Sequence, residues 1–260
     1  MAARRIIVAL PKGGCGKTAT SVAFAWGLQL KKKRTLLVDL DVQGHSTIGL
    51  GVDLTAASYG ALEFLVKPEV PFAPLSILDG LDLVPASPYS AYLDMKLKED
   101  ADRVGPIAVR EALDRVQDSY DYIICDCPPN MGTTSYQAIA AGPVLAPVEM
   151  TRLTVTTIGI LHEVIKSVRR AAPRAGIAAY VPTKCPPESQ TEFQEAYAAL
   201  RALGSNRVLE TRIPVATAIA QALATGQSLF SARFRESKGP GAYLAALDEF
   251  LPRLEEAYRA

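Results

Sequence analysis

Residues 11–21 read PKGGCGKTATS, a glycine-rich segment that leads into a lysine and a threonine. Glycines permit backbone conformations that point successive N–H groups at an anion. A lysine in the position of Lys17 reaches the terminal phosphates of a nucleotide, and a hydroxyl in the position of Thr18 binds Mg²⁺. The segment therefore predicts a phosphate-binding loop, although Pro11 stands where the usual pattern has its first glycine.

Lys12 is a second lysine in the same segment, and it comes before the glycines rather than after them. One lysine satisfies the pattern of a phosphate loop that acts on its own nucleotide. The loop alone therefore does not explain Lys12.

Three aspartates follow apolar runs that are typical of strands. Asp39 and Asp41 lie in LLVDLDVQGHS, residues 36–46, and Asp126 lies in YIICDCPPNMG, residues 122–132. Open α/β sheets place their ligand chemistry at the carboxyl ends of the strands. The three aspartates are therefore candidates for a site beside the phosphate loop.

Apolar runs bounded by turn residues alternate with helical candidates along the chain. The predicted strands are 5–10, 35–41, 120–126, 142–149 and 176–182, and the predicted helices are 18–32, 107–117, 155–171 and 190–203. Because the strands are continuously apolar, both of their faces are expected to be buried. The pattern predicts an α/β fold with a mostly parallel, twisted β-sheet flanked by helices on both faces.

Two parts of the chain are less regular. Residues 53–106 predict a short strand at 82–85 and a helix from about 88. Residues 239–260 predict a terminal amphipathic helix, in which Pro252 either starts a second segment or kinks the helix. No internal repeat or interdomain linker is evident, so residues 1–260 are expected to form a single domain.

Composition limits the classes of protein. Lys and Arg number 28 against 27 acidic residues, and this balance argues against nucleic-acid binding through overall charge alone. The apolar run before Pro11 is too short for a secretory signal, and no stretch approaches the roughly 20 apolar residues of a membrane span. The four cysteines lack the paired spacing of a zinc site. We expect a cytoplasmic, globular protein.

Residues 12–18 match the motif K-G-G-x-G-K-[ST], and the chain resembles the deviant Walker A ATPases, which include the ParA-type partition ATPases. The segments around Asp41 and Asp126 are similar to that family's D-x-D-x-Q and D-C-P-P-x-x-G segments. The resemblance implies a P-loop NTPase fold and ATP hydrolysis with Mg²⁺. It also implies a role for Lys12, which would reach across a homodimer interface to phosphates bound by the partner subunit.

The same resemblance implies which residues form the site, with Asp41 orienting or activating the attacking water. The implied catalytic residues are Lys12, Lys17 and Asp41. The implied Mg²⁺ residues are Thr18, Asp39 and Asp126. The implied nucleotide contacts are Lys12, Gly13, Gly14, Cys15, Gly16, Lys17, Thr18 and Ala19 in the loop, with Thr183, Lys184 and Pro214 on the base side.

The tail and the cysteines favour one branch of this family. A MinD-type tail needs basic residues for anionic lipid, whereas this tail carries Asp248, Glu249, Glu255 and Glu256 against Arg253 and Arg259. The nitrogenase iron protein needs cysteines that hold a cluster between subunits, and the positions of Cys15 and Cys125 fit this poorly. The ParA type implies plasmid or chromosome partition with a ParB-like activator, nonspecific double-stranded DNA in the ATP form at the nucleoid, and no membrane.

Two alternatives stay open. The same ATPase cycle serves to position a protein cargo, such as a chemoreceptor cluster or a carboxysome, in other members of the family. A membrane-associated division regulator of the MinD kind is the second alternative.

Basic residues on one face would provide the DNA contacts. The candidates are Arg233, Arg235 and Lys238, with a separate set at Lys166, Arg169, Arg170 and Arg174. Val215 and Ala218 stand where the family often has arginines of the DNA surface. DNA binding in this chain is therefore shifted to other residues, weakened or lost.

Overall fold

The computed structural model describes residues 2–55, 58–87, 92–104, 107–173, 175–187, 190–204 and 206–259. Its strands are β1 Arg4–Val8, β2 Thr35–Asp39, β3 Leu75–Leu78, β4 Leu81–Val84, β5 Tyr122–Asp126, β6 Val144–Glu149 and β7 Ile177–Thr183. Its helices are α1 Lys17–Leu30, α2 His45–Gly49, α3 Ala61–Val66, α4 Leu93–Val104, α5 Ala108–Val116, α6 Thr133–Ala141, α7 Arg152–Val168, α8 Thr191–Gly204, α9 Thr217–Thr225 and α10 Lys238–Arg259.

The strands form one sheet in the order β3–β4–β2–β5–β1–β6–β7. Neighbouring strands from β4 to β7 pair in parallel, and β3 pairs antiparallel to β4 at one edge. The carboxyl ends of β1, β2, β5 and β6 therefore lie side by side. This arrangement confirms the predicted mostly parallel sheet.

Both faces of the sheet are buried. In β1, Ile7 belongs to one core cluster with residues of α3 to α8, whereas Ile6 and Val8 belong to another with residues of α1, α9 and α10. Successive side chains of a strand point to opposite faces, so each central strand supplies both clusters. Helices on the two faces hold the strand ends from which the site loops begin.

The C-terminal helix α10 packs along α1. The rings of Phe24 and Phe250 are fully buried, with centroids 5.7 Å apart. A Cβ atom at Gly27 would lie 2.8 Å from Leu247, so glycine at this position permits the close approach of the two helices. Helix α10 runs through Pro252 as one element, so Pro252 does not start a second segment.

The structure also contains elements that the sequence pattern did not predict. Strand β3 is half-exposed at the sheet edge, and α2 and α3 are too short to show a helical period. Helices α6 and α9 are rich in alanine and threonine and carry little amphipathic pattern. The helix predicted from about residue 88 begins at Leu93, and residues 88–91 lie outside the described residues.

Within the described ranges, none of the helices combines the length and the apolar character that a bilayer span requires.

Candidate active site

The loop between β1 and α1 is shaped for an anion. Gly14 and Gly16 have φ angles of 75° and 94°, in the left-handed region that favours glycine. Helix α1 begins at Lys17, and the residue before it makes no side-chain cap. The N–H groups at the start of a helix have no partner within it, and such a terminus binds phosphate readily.

The Lys17 side chain folds back over this loop. Lys17 is buried, and its Nζ donates to the carbonyl oxygens of Lys12 and Leu10 at 2.7 and 3.2 Å. The ammonium is therefore held beside the N–H groups at the start of α1. A phosphate oxygen in the loop can replace either carbonyl as its partner.

Asp126, at the end of β5, accepts hydrogen bonds from three hydroxyl groups. Thr18 Oγ1 and Ser46 Oγ lie 2.9 and 2.6 Å from Asp126 Oδ2, and Ser21 Oγ lies 2.9 Å from Asp126 Oδ1. Burial raises the pKa of Asp126, and the hydroxyl hydrogen bonds oppose that rise. Asp126 therefore connects the first turns of α1 to α2.

Asp39 lies beside Asp126 because β2 and β5 pair these two residues in register. Thr47 donates to Asp39 Oδ2 through both its N–H and its Oγ1, each at 2.8 Å, and the N–H of Asp41 lies 3.2 Å from Asp39 Oδ1. Burial and the neighbouring charge of Asp126 raise the pKa of Asp39 to about 7. These hydrogen bonds hold the segment after β2 in place. They do not test the predicted contact of Asp39 with Mg²⁺, which stays a prediction.

Asp41 follows the end of β2. It is 7% exposed, its Oδ1 accepts from the Gln43 N–H at 3.0 Å, and its carbonyl accepts from the Gly44 N–H at 2.9 Å. The two bonds close a turn between β2 and α2. A carboxylate fixed at this edge of the sheet can orient a water molecule and accept its proton.

The oxygens around Asp126 suit a magnesium ion. Thr18 Oγ1 and a carboxylate oxygen of Asp126 are hard ligands only 2.9 Å apart, as Mg²⁺ prefers. In the described part of the chain, no group of three His, Cys, Asp or Glu residues could hold a metal. Mg²⁺ would therefore be held by Thr18 and Asp126 together with phosphate and water oxygens. A cation there would also stabilise the ionised form of a buried carboxylate.

Lys12 is held by residues outside the phosphate loop. Its Nζ lies 3.0 Å from Oε2 of Glu149, at the end of β6, and also contacts Oγ1 of Thr154 in the first turn of α7. Oε1 of the same glutamate lies 3.6 Å from Lys184 Nζ. One carboxylate therefore pairs with two lysines at the mouth of the loop.

A cavity of about 370 Å³ adjoins the first turn of α1. Thr183 links it to the phosphate loop, because Thr183 Oγ1 donates to the carbonyl of Cys15 at 2.7 Å. The cavity is lined by Gly16, Ala19, Thr183, Lys184, Ile213, Pro214, Val215, Ala216, Thr217, Ile219, Ala220 and Tyr243. The predicted base-side residues therefore share one cavity with the start of α1, and its mostly apolar walls suit a nucleotide base.

Known proteins share this sequence and its architecture. A sequence profile for a family described as an AAA domain matches residues 3–175. The chain is 32% identical to the chromosome-partitioning ATPase Soj of Thermus thermophilus, over 98% of this chain and 98% of that protein. The chain belongs to the ParA/Soj family of partition ATPases.

Two further proteins extend the comparison. The chain is 32% identical to the cell division protein PomZ of Myxococcus xanthus, over 95% of this chain and 77% of that protein. It superposes with a TM-score of 0.81, at 26% identity, on a cobyrinic acid a,c-diamide synthase of Mycobacterium smegmatis with bound ATP analogue and magnesium. That match covers 97% of this chain and 96% of the other. As a member of the ParA/Soj family, the chain is an ATPase.

Two of the three residues first predicted to contact DNA, Arg233 and Arg235, have protein partners. Arg233 donates to Gln227 Oε1 at 3.3 Å, and its guanidinium lies 5.0 Å from the centre of the Phe234 ring. Arg235 pairs with Glu236 at 3.2 Å, and Lys238 is exposed at the start of α10.

The second predicted set lies at the far end of α7. Lys166 is exposed on that helix, and Arg169 and Arg170 are exposed in the turn that follows it, whereas Arg174 lies outside the described residues. At the two positions where the resemblance implied arginines, the side chain of Val215 is exposed and that of Ala218 is buried.

The sequence did not predict which residues form hydrogen bonds or ion pairs with Asp126, Asp39 and Lys12. Ser46 contacts Asp126, Thr47 contacts Asp39, and Glu149 contacts Lys12. Ser46 and Thr47 lie three and four residues after Gln43, the last residue of the predicted D-x-D-x-Q segment, so these two hydroxyl groups were the available signal. Glu149 ends a predicted strand, and only the order of strands in the sheet places it beside the loop.

Proposed function

We propose that this ParA/Soj-family ATPase closes as a homodimer around two ATP molecules, with residues 1–260 acting as one P-loop ATPase domain. The separation of its two lysines supports the proposal. Lys17 Nζ is buried against carbonyls of its own loop, whereas Lys12 pairs with Glu149 at the mouth with 26% of its side chain exposed. An ammonium at the mouth is accessible to a nucleotide that a second copy binds.

Within one subunit, the phosphate loop binds and orients the triphosphate. The N–H groups at the start of α1 and the Lys17 ammonium bind the β- and γ-phosphate oxygens. Mg²⁺, held by Thr18 and Asp126, would stabilise the negative charge on those oxygens. Asp41 orients the water that attacks the γ-phosphate, and the reaction yields ADP and phosphate.

Lys12 connects this chemistry to dimer closure. Its ammonium leaves Glu149 and pairs with the phosphates in the partner subunit, so one anionic partner replaces another. The interaction is strong in a site that the dimer partly dries, because charges attract more strongly at low dielectric. Loss of the γ-phosphate removes that partner, and the dimer opens.

The closed dimer is proposed to hold nonspecific double-stranded DNA at the nucleoid until a ParB-like activator stimulates hydrolysis. Contacts to phosphates supply such binding without reading bases. The similarity to a chromosome-partitioning ATPase along nearly the whole chain supports this assignment.

A second candidate function is the positioning of a protein cargo by the same cycle. The similarity to PomZ, which is named as a cell division protein and not as a partition ATPase, is the reason to keep a role other than partition as the runner-up. A membrane-binding tail has less support, because Asp248 and Glu255 of α10 pair with Lys31 and Arg4 of the chain's own body.

The test compares wild type with Asp41→Ala in ATP, in ADP and without nucleotide. Light scattering is expected to report a dimer with ATP only, and the variant is expected to stay dimeric with little turnover because the attacking water is no longer oriented. Scattering from monomers at saturating ATP would rule out the shared-nucleotide dimer.

DNA binding is measured by fluorescence anisotropy on the same samples, with and without liposomes. We expect DNA binding in ATP only, falling steeply with added salt because phosphate contacts release counterions. Binding that ignores nucleotide or salt would contradict the partition assignment, and retention on liposomes would point to the membrane alternative.

A further inference from the structure

A second cavity, of about 380 Å³, lies between α7, β7 and the segment after α8. Three basic residues line it, namely Lys166 on α7, Arg169 just after that helix, and Arg207 beyond α8. None of the described residues that line it is acidic. The cavity is therefore positively charged, and its three basic residues are not part of the proposed nucleotide site.

Backbone contacts hold the two arginines in place. Arg169 Nε donates to the carbonyl of Ala175, and Arg207 donates to the carbonyl of Ile177, each at 2.8 Å. A guanidinium carries five N–H donors, so each arginine keeps capacity for an additional anion. Arginine held in this way loses little side-chain freedom when it binds phosphate.

Two polar side chains, His162 and Tyr180, line the cavity together with the apolar Ile165, Ile177 and Leu203. His162 Nε2 and the hydroxyl of Tyr180 lie 2.6 Å apart, and Tyr180 is 1% exposed. On the rim, Lys166 leaves 79% of its side chain exposed, and its acidic neighbour Glu163 lies 4.0 Å away on the same helix. The cavity thus presents two guanidinium groups that the backbone holds and one exposed ammonium group.

We propose that the phosphate backbone of DNA docks at this cavity, through Lys166, Arg169 and Arg207, rather than at Arg233, Arg235 and Lys238. That this protein binds DNA at all rests on the proposed function, and the cavity adds where on the surface the DNA binds. Arg235 already pairs with the acidic Glu236, whereas the described lining of the cavity holds no acidic residue, and Val215 and Ala218 carry no charge. A closed dimer would carry two such cavities, and two linked sites bind one DNA more strongly than a single site does.

The test uses the double variant Lys166→Ala/Arg207→Ala, with Arg233→Ala/Arg235→Ala as a control of equal charge change. ATP-dependent DNA binding is measured across a salt series, and the fold and ATP-induced dimer of each variant are checked by circular dichroism and light scattering. The cavity variant is expected to bind about tenfold or more weakly. The slope of log affinity against log salt should fall by about 0.9 for each phosphate that the variant no longer neutralises.

The outcomes separate this inference from the function on which it rests. A dimeric cavity variant with weakened DNA binding and a shallower slope, beside a control close to wild type, supports the cavity. Loss in the control alone, or equal binding by the cavity variant and wild type, overturns it. Absence of DNA binding by wild type in ATP would instead overturn the proposed function.

Discussion

The proposed nucleotide site has two halves. Its phosphate half comes from the ends of β1, β2 and β5, whereas its base half is closed by residues 213–217, 219 and 220 and by Tyr243 of α10. In the phosphate half, the charged groups of Lys17, Asp39 and Asp126 are buried. In the base half, the walls are mostly apolar, and several of them, such as Val215 and Ala220, are exposed.

This difference shows where each half gets its energy. Buried charged side chains keep one arrangement, because any other arrangement would leave a charge unpaired in a low-dielectric site. An apolar cavity binds a base through the burial of apolar surface. This interaction is less directional than a contact between charges, and it tolerates small changes in the shape of the cavity. Loss of a charge in the phosphate half should therefore have a larger effect than a change of shape in the base half.

Lys17→Ala should break the phosphate half most severely. The variant loses charge-assisted hydrogen bonds to phosphate, each of which contributes about 1.5–3 kcal/mol, so ATP affinity should fall about a hundredfold or more. Isothermal titration calorimetry measures the affinity, with Lys33→Ala, at an exposed position, as the control. Because Lys17 also bonds loop carbonyls, the melting temperature is measured alongside; near-normal ATP affinity in a folded variant would contradict the assignment.

The buried carboxylates predict a pH dependence of stability without Mg²⁺. The pKa of Asp39 is raised to about 7, above its value of about 3.9 in the unfolded chain. The folded chain therefore holds a proton that the unfolded chain releases, and this contribution to stability is complete below pH 4 and is lost as pH rises toward 7. The free energy of unfolding, measured with urea at pH 5 and at pH 8, should therefore be larger at pH 5.

Asp39→Asn is the matched variant for this measurement. It removes the titration while keeping one oxygen for Thr47, so the difference between the two pH values should shrink even if overall stability falls. Addition of Mg²⁺ with nucleotide should shrink it in wild type as well, because a cation favours the ionised carboxylates. If the free energy of unfolding changed equally with pH in wild type and variant, the titration of Asp39 beside Asp126 would not be the cause of the pH dependence.

The sequence placed the phosphate half better than the base half, for a physical reason. The phosphate loop is local: its glycines and Lys17 lie within seven residues, and Asp41 and Asp126 follow strands that their own apolar runs define. Tyr243, by contrast, reaches the base cavity only because α10 packs along α1. No pattern within its own segment carries that information.

The partner of Lys12 could not be predicted for a similar reason. The apolar runs predicted β1 and β6 as buried strands, but they gave no order of strands in the sheet. Glu149 meets Lys12 because β6 lies directly beside β1. Strand order is a property of the whole sheet, so contacts between neighbouring strand ends follow from the fold and not from a motif.

Ala220→Phe should alter the base half alone. Ala220 is exposed on α9 and lines the base cavity, so a ring there reduces the space for adenine. Overpacking costs about 1–3 kcal/mol in a closed core, and an exposed position should lie near the lower end, which corresponds to a loss of roughly five- to tenfold in ATP affinity. Affinity for inorganic tripolyphosphate, which lacks a base, should stay as in wild type. Ala199→Phe on the exposed face of α8 is the control. An equal loss for both ligands would place the damage in the phosphate loop.

The smallest effect is expected at the boundary between one subunit and the next. Glu149→Gln keeps a hydrogen-bond acceptor near Lys12 and removes the charge that pairs with its ammonium at 3.0 Å. Partly exposed ion pairs contribute about 0.2–1 kcal/mol, so release of Lys12 should lower the ATP concentration for half-maximal dimerisation by up to roughly fivefold. Glu195→Gln, which removes the same charge from an exposed pair with Arg152, is the control. A variant that needs as much ATP as wild type would show that Glu149 does not restrain Lys12, and the contact with Thr154 would then be the restraint on that lysine.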